Sequence, residues 1–281
     1  MRLLARGHEI FFPRPPMVMG IVNLCADSFS GDGLTDVNAA IARATEMIQE
    51  GAEMIDIGAE SARTNRAAME EAEESERLCE FIQRWKETAL AEKKLLSINT
   101  WRPNVARAAL KCGGEILNDI GALPSDENAR ICAETGAALL IMHSVGLPKI
   151  AHTHVGYDDV MARMEEFFRV KITMAEAAGL SRDAIILDPG IDFAKQSADN
   201  LRIYREFGRL RQFERPVLLP VSRKTVIGDV LGITEPPNRD AGTVACIVQG
   251  VLNGAQIFRV HNVHAAVQTI RTVCAVEGHR T

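Results

Sequence analysis

Eight short apolar runs punctuate the chain, each bounded by polar residues and by Gly or Pro. They are MVMGIVN (17–23), EMIDIGA (53–59), KLLSINT (94–100), EILNDIG (115–121), ALLIMHS (138–144), AIILDPG (184–190), PVLLPVS (216–222) and AQIFRVH (255–261). Most are apolar throughout rather than alternating, as expected of parallel strands covered on both faces. The segments between them carry helical spacing. Residues 37–53 and 161–179 place apolar side chains three and four apart and close on Gly. Eight strand-then-helix units over 281 residues predict a (β/α)8 TIM barrel. The rival is a doubly wound sheet, which would usually carry a G-x-G-x-x-G turn after its first strand; none follows residue 23. Residues 1–16 precede strand one and are expected to cap the bottom of the barrel. No linker, repeat or low-complexity segment interrupts the pattern, so 1–281 is read as one domain.

In such barrels the chemistry sits where strands end and βα loops begin. Strand one ends at Asn23. Strand two carries Asp56 and runs into Glu60 and Arg63, and strand three ends at Asn99. Strand four ends at Asn118 and Asp119, strand five at His143 and strand six at Asp188. Strand seven ends in Ser222, Arg223 and Lys224, and strand eight in Arg259, His261 and Asn262. Any one of these could cap a helix or complete a turn. That all eight strands deliver a hydrogen-bonding group argues for a ring of them. Asn, Asp, Lys and Arg converging in this way suit a planar ligand rich in ring nitrogens and amides, together with an anion.

Composition narrows the partners. Hydrophobic residues make up 47% and charged residues 25%, as in soluble globular proteins. A net charge of −5 argues against a broad nucleic-acid face. No apolar run approaches the roughly 20 residues that cross a bilayer. The start, MRLLARGHEIFFPRPP, has charges inside its apolar stretch and no small-residue cleavage site, so it is read as mature sequence. Six cysteines (25, 79, 112, 132, 246, 274) form no C-x-x-C pair and are expected to be reduced thiols of a cytosolic protein. His152-x-His154 has a metal-compatible spacing without acids or Cys beside it.

The strings MGIVNLCADSFSGDG (19–33), DIGAESAR (56–63), LNDIGA (117–122), LLIMHS (139–144), LDPGIDFAK (187–195), VSRKTVIG (221–228) and FRVHNV (258–263) resemble, in order, the dihydropteroate synthase family of the pterin-binding superfamily. The resemblance implies the joining of p-aminobenzoate to 6-hydroxymethyl-7,8-dihydropterin pyrophosphate with release of pyrophosphate, assisted by Mg2+. It implies catalytic roles for Lys224, Arg63 and Asp27, and substrate contacts from Asn99, Asn118, Met142, Asp188, Phe193, Ser222, Lys224, Arg259 and His261. Asp188 resembles the carboxylate that pairs with the pterin 2-amino group and the adjacent N–H, a forked contact of the strong kind. Asn118 offers both donor and acceptor to the ring. Arg259 and His261 resemble the pyrophosphate anchors, and Asn23 the magnesium ligand, since a hard cation takes oxygen donors. A cytoplasmic homodimer formed through the last helices, with no nucleic-acid or membrane partner, is implied as well.

The chain departs from the family pattern in its first two loops. Cys25-Ala26-Asp27-Ser28-Phe29 replaces Thr-Pro-Asp-Ser-Phe, and Ala62 and Thr64 replace Thr and Pro in the second loop. Cys25 reads as a passive replacement for Thr or as a reactive thiol in the catalytic loop. Pro220 stands for Gly, Asn262 for Asp, and Asn99 for the usual Asp. Asn99 keeps one acceptor but gives up a charge. Three readings follow: a synthase with altered loops, a pterin enzyme that uses another amine or transfers a one-carbon group, and a non-catalytic pterin-binding accessory protein.

Overall fold

The computed structural model describes residues 1–25, 33–60, 68–146, 148–150, 152 and 155–278. The chain opens with a hairpin, β1 (Arg2–Ala5) and β2 (His8–Phe11), and then alternates strand and helix. The strands are β3 (Met17–Asn23), β4 (Met54–Gly58), β5 (Leu95–Asn99), β6 (Ile116–Asp119), β7 (Ala138–Met142), β8 (Ile185–Asp188), β9 (Leu218–Pro220) and β10 (Ile257–Val260). The helices are α1 (Val37–Gln49), α2 (Glu71–Lys86), α3 (Pro103–Cys112), α4 (Glu127–Thr135), α5 (Val160–Ala177), α6 (Ser197–Glu206), α7 (Thr225–Leu231), α8 (Asp240–Leu252) and α9 (Val263–Val276).

The eight strands from β3 to β10 form one parallel sheet in the order β8-β7-β6-β5-β4-β3-β10-β9. A parallel bridge between Leu187 and Val217 brings its two edges together, giving the predicted TIM barrel. Each predicted run contains its strand, trimmed by no more than two residues at either end. The shortest, β9, ends at Pro220, whose ring nitrogen cannot donate to a ladder. It lies at the seam with β8, where a single bridge replaces a full ladder.

Local chemistry sets the helix limits. Asp36 precedes α1 and accepts from the backbone N–H groups of Asn38 and Ala39; Gly51, at φ +111°, reverses the chain after it. The helix packs so close to β3 that a Cβ at Gly20 would lie 2.7 Å from the Met47 sulfur. At the opposite end of the barrel from the strand termini, the hairpin buries Leu3 and Ala5. There Arg6 donates to the carbonyls of Leu110 (2.6 Å) and Thr135 (3.2 Å), at the C-terminal ends of α3 and α4. A cation suits those unpaired, partly negative carbonyls.

Contrary to the expectation from the sequence, the six cysteines are not all reduced thiols. Cys79 on α2 and Cys112 at the end of α3 are joined in a disulfide, with Cα atoms 5.6 Å apart. Spacing along the chain could not reveal it, because 33 residues separate two cysteines that adjacent helices bring together. Cys25, Cys132, Cys246 and Cys274 lie outside that disulfide, and all but Cys246 are buried.

Candidate active site

The strand termini gather around one fully buried acid, Asp56, in the middle of β4. Its carboxylate accepts from Ser97 Oγ (2.6 Å) and Asn99 Nδ2 (3.2 Å) on β5, and from Asn118 Nδ2 (3.1 and 3.2 Å) on β6. On the other side it accepts from Arg259 Nε and Nη2 (both 2.7 Å) on β10. Strands β6 and β10 each lie two places from β4 in the sheet, so these contacts cross the barrel interior. A buried carboxylate is tolerable only when paired and hydrogen-bonded, and Asp56 has both a cation and three neutral donors.

This arrangement settles which way the amides face. Asn99 and Asn118 both spend their NH2 group on Asp56, so each turns its carbonyl oxygen away from it. Asn118 is 2% exposed, and its Oδ1 has no protein partner among the described residues. A buried acceptor of this kind is costly to leave unpaired, which makes it a candidate for reading a ligand.

Across the mouth, Asp188 ends β8 beside Met142, its register partner at the end of β7. Asp188 Oδ1 accepts from the Gly190 N–H at 2.6 Å. Burial pushes its pKa up to about 6, against the opposing pull of Gly190, Lys224, Arg259 and Lys195. Lys224 Nζ donates to the Ile191 carbonyl (3.0 Å) and lies 5.3 Å from the centre of the Phe193 ring. Burial lowers its pKa. Ser222 Oγ accepts from the His261 backbone N–H (3.1 Å) and meets its Nδ1 at 2.8 Å. Asn23 ends β3, paired in register with Gly58.

Several polar strand ends turn away from this cluster. Asp119 follows Asn118 directly, so the pleat sends it to the other face. There it accepts from Gly121 N–H and Asn128 Nδ2, with its pKa raised by burial to about 6. His143 packs against Phe167 and Phe168, and burial holds it neutral. Asn262 caps α9 by accepting from Ala265 N–H, and Arg223 pairs with Asp240. The expected ring is therefore narrower than eight strand ends, and β7 contributes Met142 to it in place of His143.

Asp27 and Arg63 lie outside the described residues, as do Ala62, Thr64 and His154. The base of the second loop is nonetheless defined. Glu60 accepts from Met69 N–H (3.1 Å), closing the ends of that loop, and pairs with Arg102 (2.8 Å) and Lys149 (3.3 Å). The central role of Asp56 had one sequence signal, an acid with Ile on each side inside a strand.

A closed barrel whose mouth holds a buried acceptor amide, a raised carboxyl and several cations defines an enzyme-type site for a nitrogen-rich planar ligand bearing an anion. Comparison with known proteins makes the class specific. Residues 19–261 match the family described as pterin binding enzyme, and the chain belongs to that family. It is 35% identical to the dihydropteroate synthase of Escherichia coli K12 over 97% of this chain and 95% of that protein. The structure is similar to that of the Yersinia pestis dihydropteroate synthase in complex with a sulfonamide drug, with a TM-score of 0.90, 35% identity and 99% of each chain covered. It is also similar to the Xanthomonas albilineans enzyme with 4-aminobenzoic acid (TM-score 0.87, 34% identity, 99% of each chain) and with 7,8-dihydropteroate (0.85, 34%, 100% of each).

Proposed function

We propose that this chain is a dihydropteroate synthase, condensing 6-hydroxymethyl-7,8-dihydropterin pyrophosphate with p-aminobenzoate to give 7,8-dihydropteroate and pyrophosphate. The observation that carries this reading is the presence, at one barrel mouth, of a buried Asn118 acceptor with no protein partner among the described residues and of the Asp188 carboxyl, in a chain 35% identical to enzymes of that name.

The chemistry asks little of acid–base groups. The C–O bond to pyrophosphate breaks, the amine nitrogen bonds to the pterin methylene, and the amine loses a proton. The site must hold the pterin, stabilise the leaving anion and place the amine. Asp188 accepts from the pterin 2-amino group and ring N–H when ionised. Asn118 Oδ1 takes a second ring donor. The Asn99 carbonyl, with its NH2 held by Asp56, still offers the acceptor that the loss of an Asp put in doubt. Phe193 and Met142 form apolar walls. Lys224 spans the pterin carbonyl and the amine side. Arg259, His261 and Ser222 receive the pyrophosphate, for which Arg259 would exchange part of its bond to Asp56.

We assign Asp27 and Arg63 to the amine and pyrophosphate side on their motifs. Asn23 would hold Mg2+, because one amide oxygen beside pyrophosphate oxygens and water suits a hard cation. The ion would neutralise charge on the departing pyrophosphate. No helix among the described residues is long and apolar enough to cross a membrane. A cytoplasmic homodimer through the last helices is the assembly we favour, with exposed Leu252 and Val276 as its apolar surface.

A coupled assay of pyrophosphate release, with and without p-aminobenzoate, tests the function. Release that requires the amine and is inhibited competitively by a sulfonamide is expected. Pterin binding by calorimetry without any release would favour the accessory-protein reading.

A further inference from the structure

The loop between β8 and α6 winds through three left-handed residues in five: Gly190 (φ +64°), Asp192 (+69°) and Ala194 (+50°). Two of these carry a Cβ, for which that conformation is disfavoured, so the surroundings must hold the loop in place. Lys195 does so. Its Nζ donates to the carbonyl oxygens of Gly190 (3.0 Å), Phe193 (3.0 Å) and His143 (3.1 Å). Burial lowers its pKa to about 7; in its ammonium form it has three protons and no acceptor, and here three carbonyls take them. The residue is only 9% exposed. The winding of the loop brings the Gly190 and Phe193 carbonyls, three residues apart, onto the same nitrogen, which sits where a monovalent cation would among them. The third carbonyl comes from the end of β7. A Cβ at Gly190 would lie 2.0 Å from the His143 oxygen, so the approach requires glycine there.

The loop held in this way carries much of the pterin side of the site. Gly190 N–H donates to Asp188, the Ile191 carbonyl holds Lys224, and the Phe193 ring lies against the same lysine. The Asp192 carboxylate accepts from the Thr225 and Val226 N–H groups, fixing the start of α7 just after Lys224.

We infer that Lys195 is a positioning residue for pterin recognition: its ammonium is the internal cation around which the 190–195 loop is built, and through that loop it places Asp188, Lys224 and Phe193. The ligand in this statement rests on the synthase reading; the loop does not.

Two measurements test it. Hydrogen exchange on ligand-free protein should show the 190–195 amides losing protection about tenfold or more in Lys195→Met, while α2 is unchanged. Steady-state kinetics should show the KM for the pterin pyrophosphate rising about tenfold, the cost of one lost charge-assisted contact, and the KM for p-aminobenzoate, which meets the loop only through Lys224, rising by less. A lysine that served only stability would lower kcat through the folded fraction and leave both KM values alone. Lys195→Arg keeps the charge in a planar fork that cannot meet three convergent carbonyls, and the same shifts are expected in smaller measure. If Lys195→Met does not fold, the Arg variant is read instead. Unchanged exchange at 190–195, or an unchanged pterin KM, in a folded variant overturns the inference. So does a chain that folds with neither substitution, because Lys195 is then a folding residue. If the wild type binds no pterin, the synthase reading fails while the exchange result still decides the loop.

Discussion

The two sides of the mouth are organised by opposite charges. On the β4–β6 and β10 side, a buried carboxylate, Asp56, gathers side-chain donors from three strands. On the β8–β9 side, a buried ammonium, Lys195, gathers backbone carbonyls from one loop and a strand end. An anion at the centre turns neighbouring amides so that their carbonyls face outward, producing acceptors for a ligand's N–H groups. A cation at the centre draws carbonyls inward and leaves backbone N–H groups and side chains on the outside. The first device needs strand register, which the ladders supply. The second needs a loop able to enter left-handed conformations. A single site thus orients its ligand readers by two independent means.

The sharpest way to break the comparison is Asp56→Ala. It leaves Arg259 without its partner and frees both amides. Removing one member of a buried ion pair costs about 3–5 kcal/mol, so chemical denaturation should show a loss of that size. Pterin affinity should fall by more than Lys195→Met lowers it. A loss below about 1 kcal/mol would mean that the strands, not the acid, hold the amides in place.

Asn99→Asp asks whether the anion-centred side tolerates a second acid. The new carboxylate replaces a donor 3.2 Å from Asp56 Oδ2 and repels it. The lost charge-assisted bond is worth about 1.5–3 kcal/mol at neutral pH. The repulsion raises the new group's folded pKa above its unfolded value. Its contribution is therefore most favourable at low pH and is lost as pH rises through the folded pKa, so the destabilisation should shrink towards pH 5. Melting curves from pH 5 to 8 measure this. A variant whose stability and pterin affinity match the wild type throughout would make Asn99 a neutral exchange.

Proton uptake by Asp188 tests the opposite side. Its carboxyl, raised to about 6, takes both pterin donors in a forked contact only when ionised. Pterin affinity should fall about tenfold per pH unit below 6, or about 1.4 kcal/mol per unit. The stability of the free protein runs the other way. A folded pKa above the unfolded one makes Asp188 contribute most below its ordinary value near 3.8 and progressively less as pH rises to 6. Calorimetry at pH 5, 6 and 7 checks the first statement, and an affinity that is flat over this range would remove Asp188 from pterin recognition.

The smallest effect belongs to Ser222→Ala, outside both clusters. It deletes one hydroxyl from the His261 ring and backbone, worth about 1 kcal/mol. The KM for the pterin pyrophosphate should rise a few-fold, since His261 loses its orientation, while the binding of pterin lacking the pyrophosphate stays the same.

Much of this molecule is legible in its residues. Continuous apolar runs separated by amphipathic segments specify parallel strands covered by helices, because both faces of each strand must avoid water. All eight runs became barrel strands. Asn118 and Asp188 could be picked out because a polar residue that closes an apolar strand must satisfy its hydrogen bonds at the rim. The same rule overreached at Asp119, His143 and Asn262, where the partner is a turn, an aromatic cluster or a helix end. Nothing in the local pattern separates those cases, since a strand end and a cap use the same residue types.

Only the tertiary structure could decide which charges meet. Asp56 and Arg259 are 203 residues apart, and their pairing exists because the barrel closes. The facing of Asn99 and Asn118 follows from that carboxylate, not from their own neighbours. Likewise the three carbonyls on Lys195 converge through left-handed turns and a glycine contact between strands, and the Cys79–Cys112 link follows from two helices lying side by side. Periodicity records where a side chain lies relative to its own element. Electrostatic pairing depends on distances across the folded core, and those are set only when all eight strands are in place.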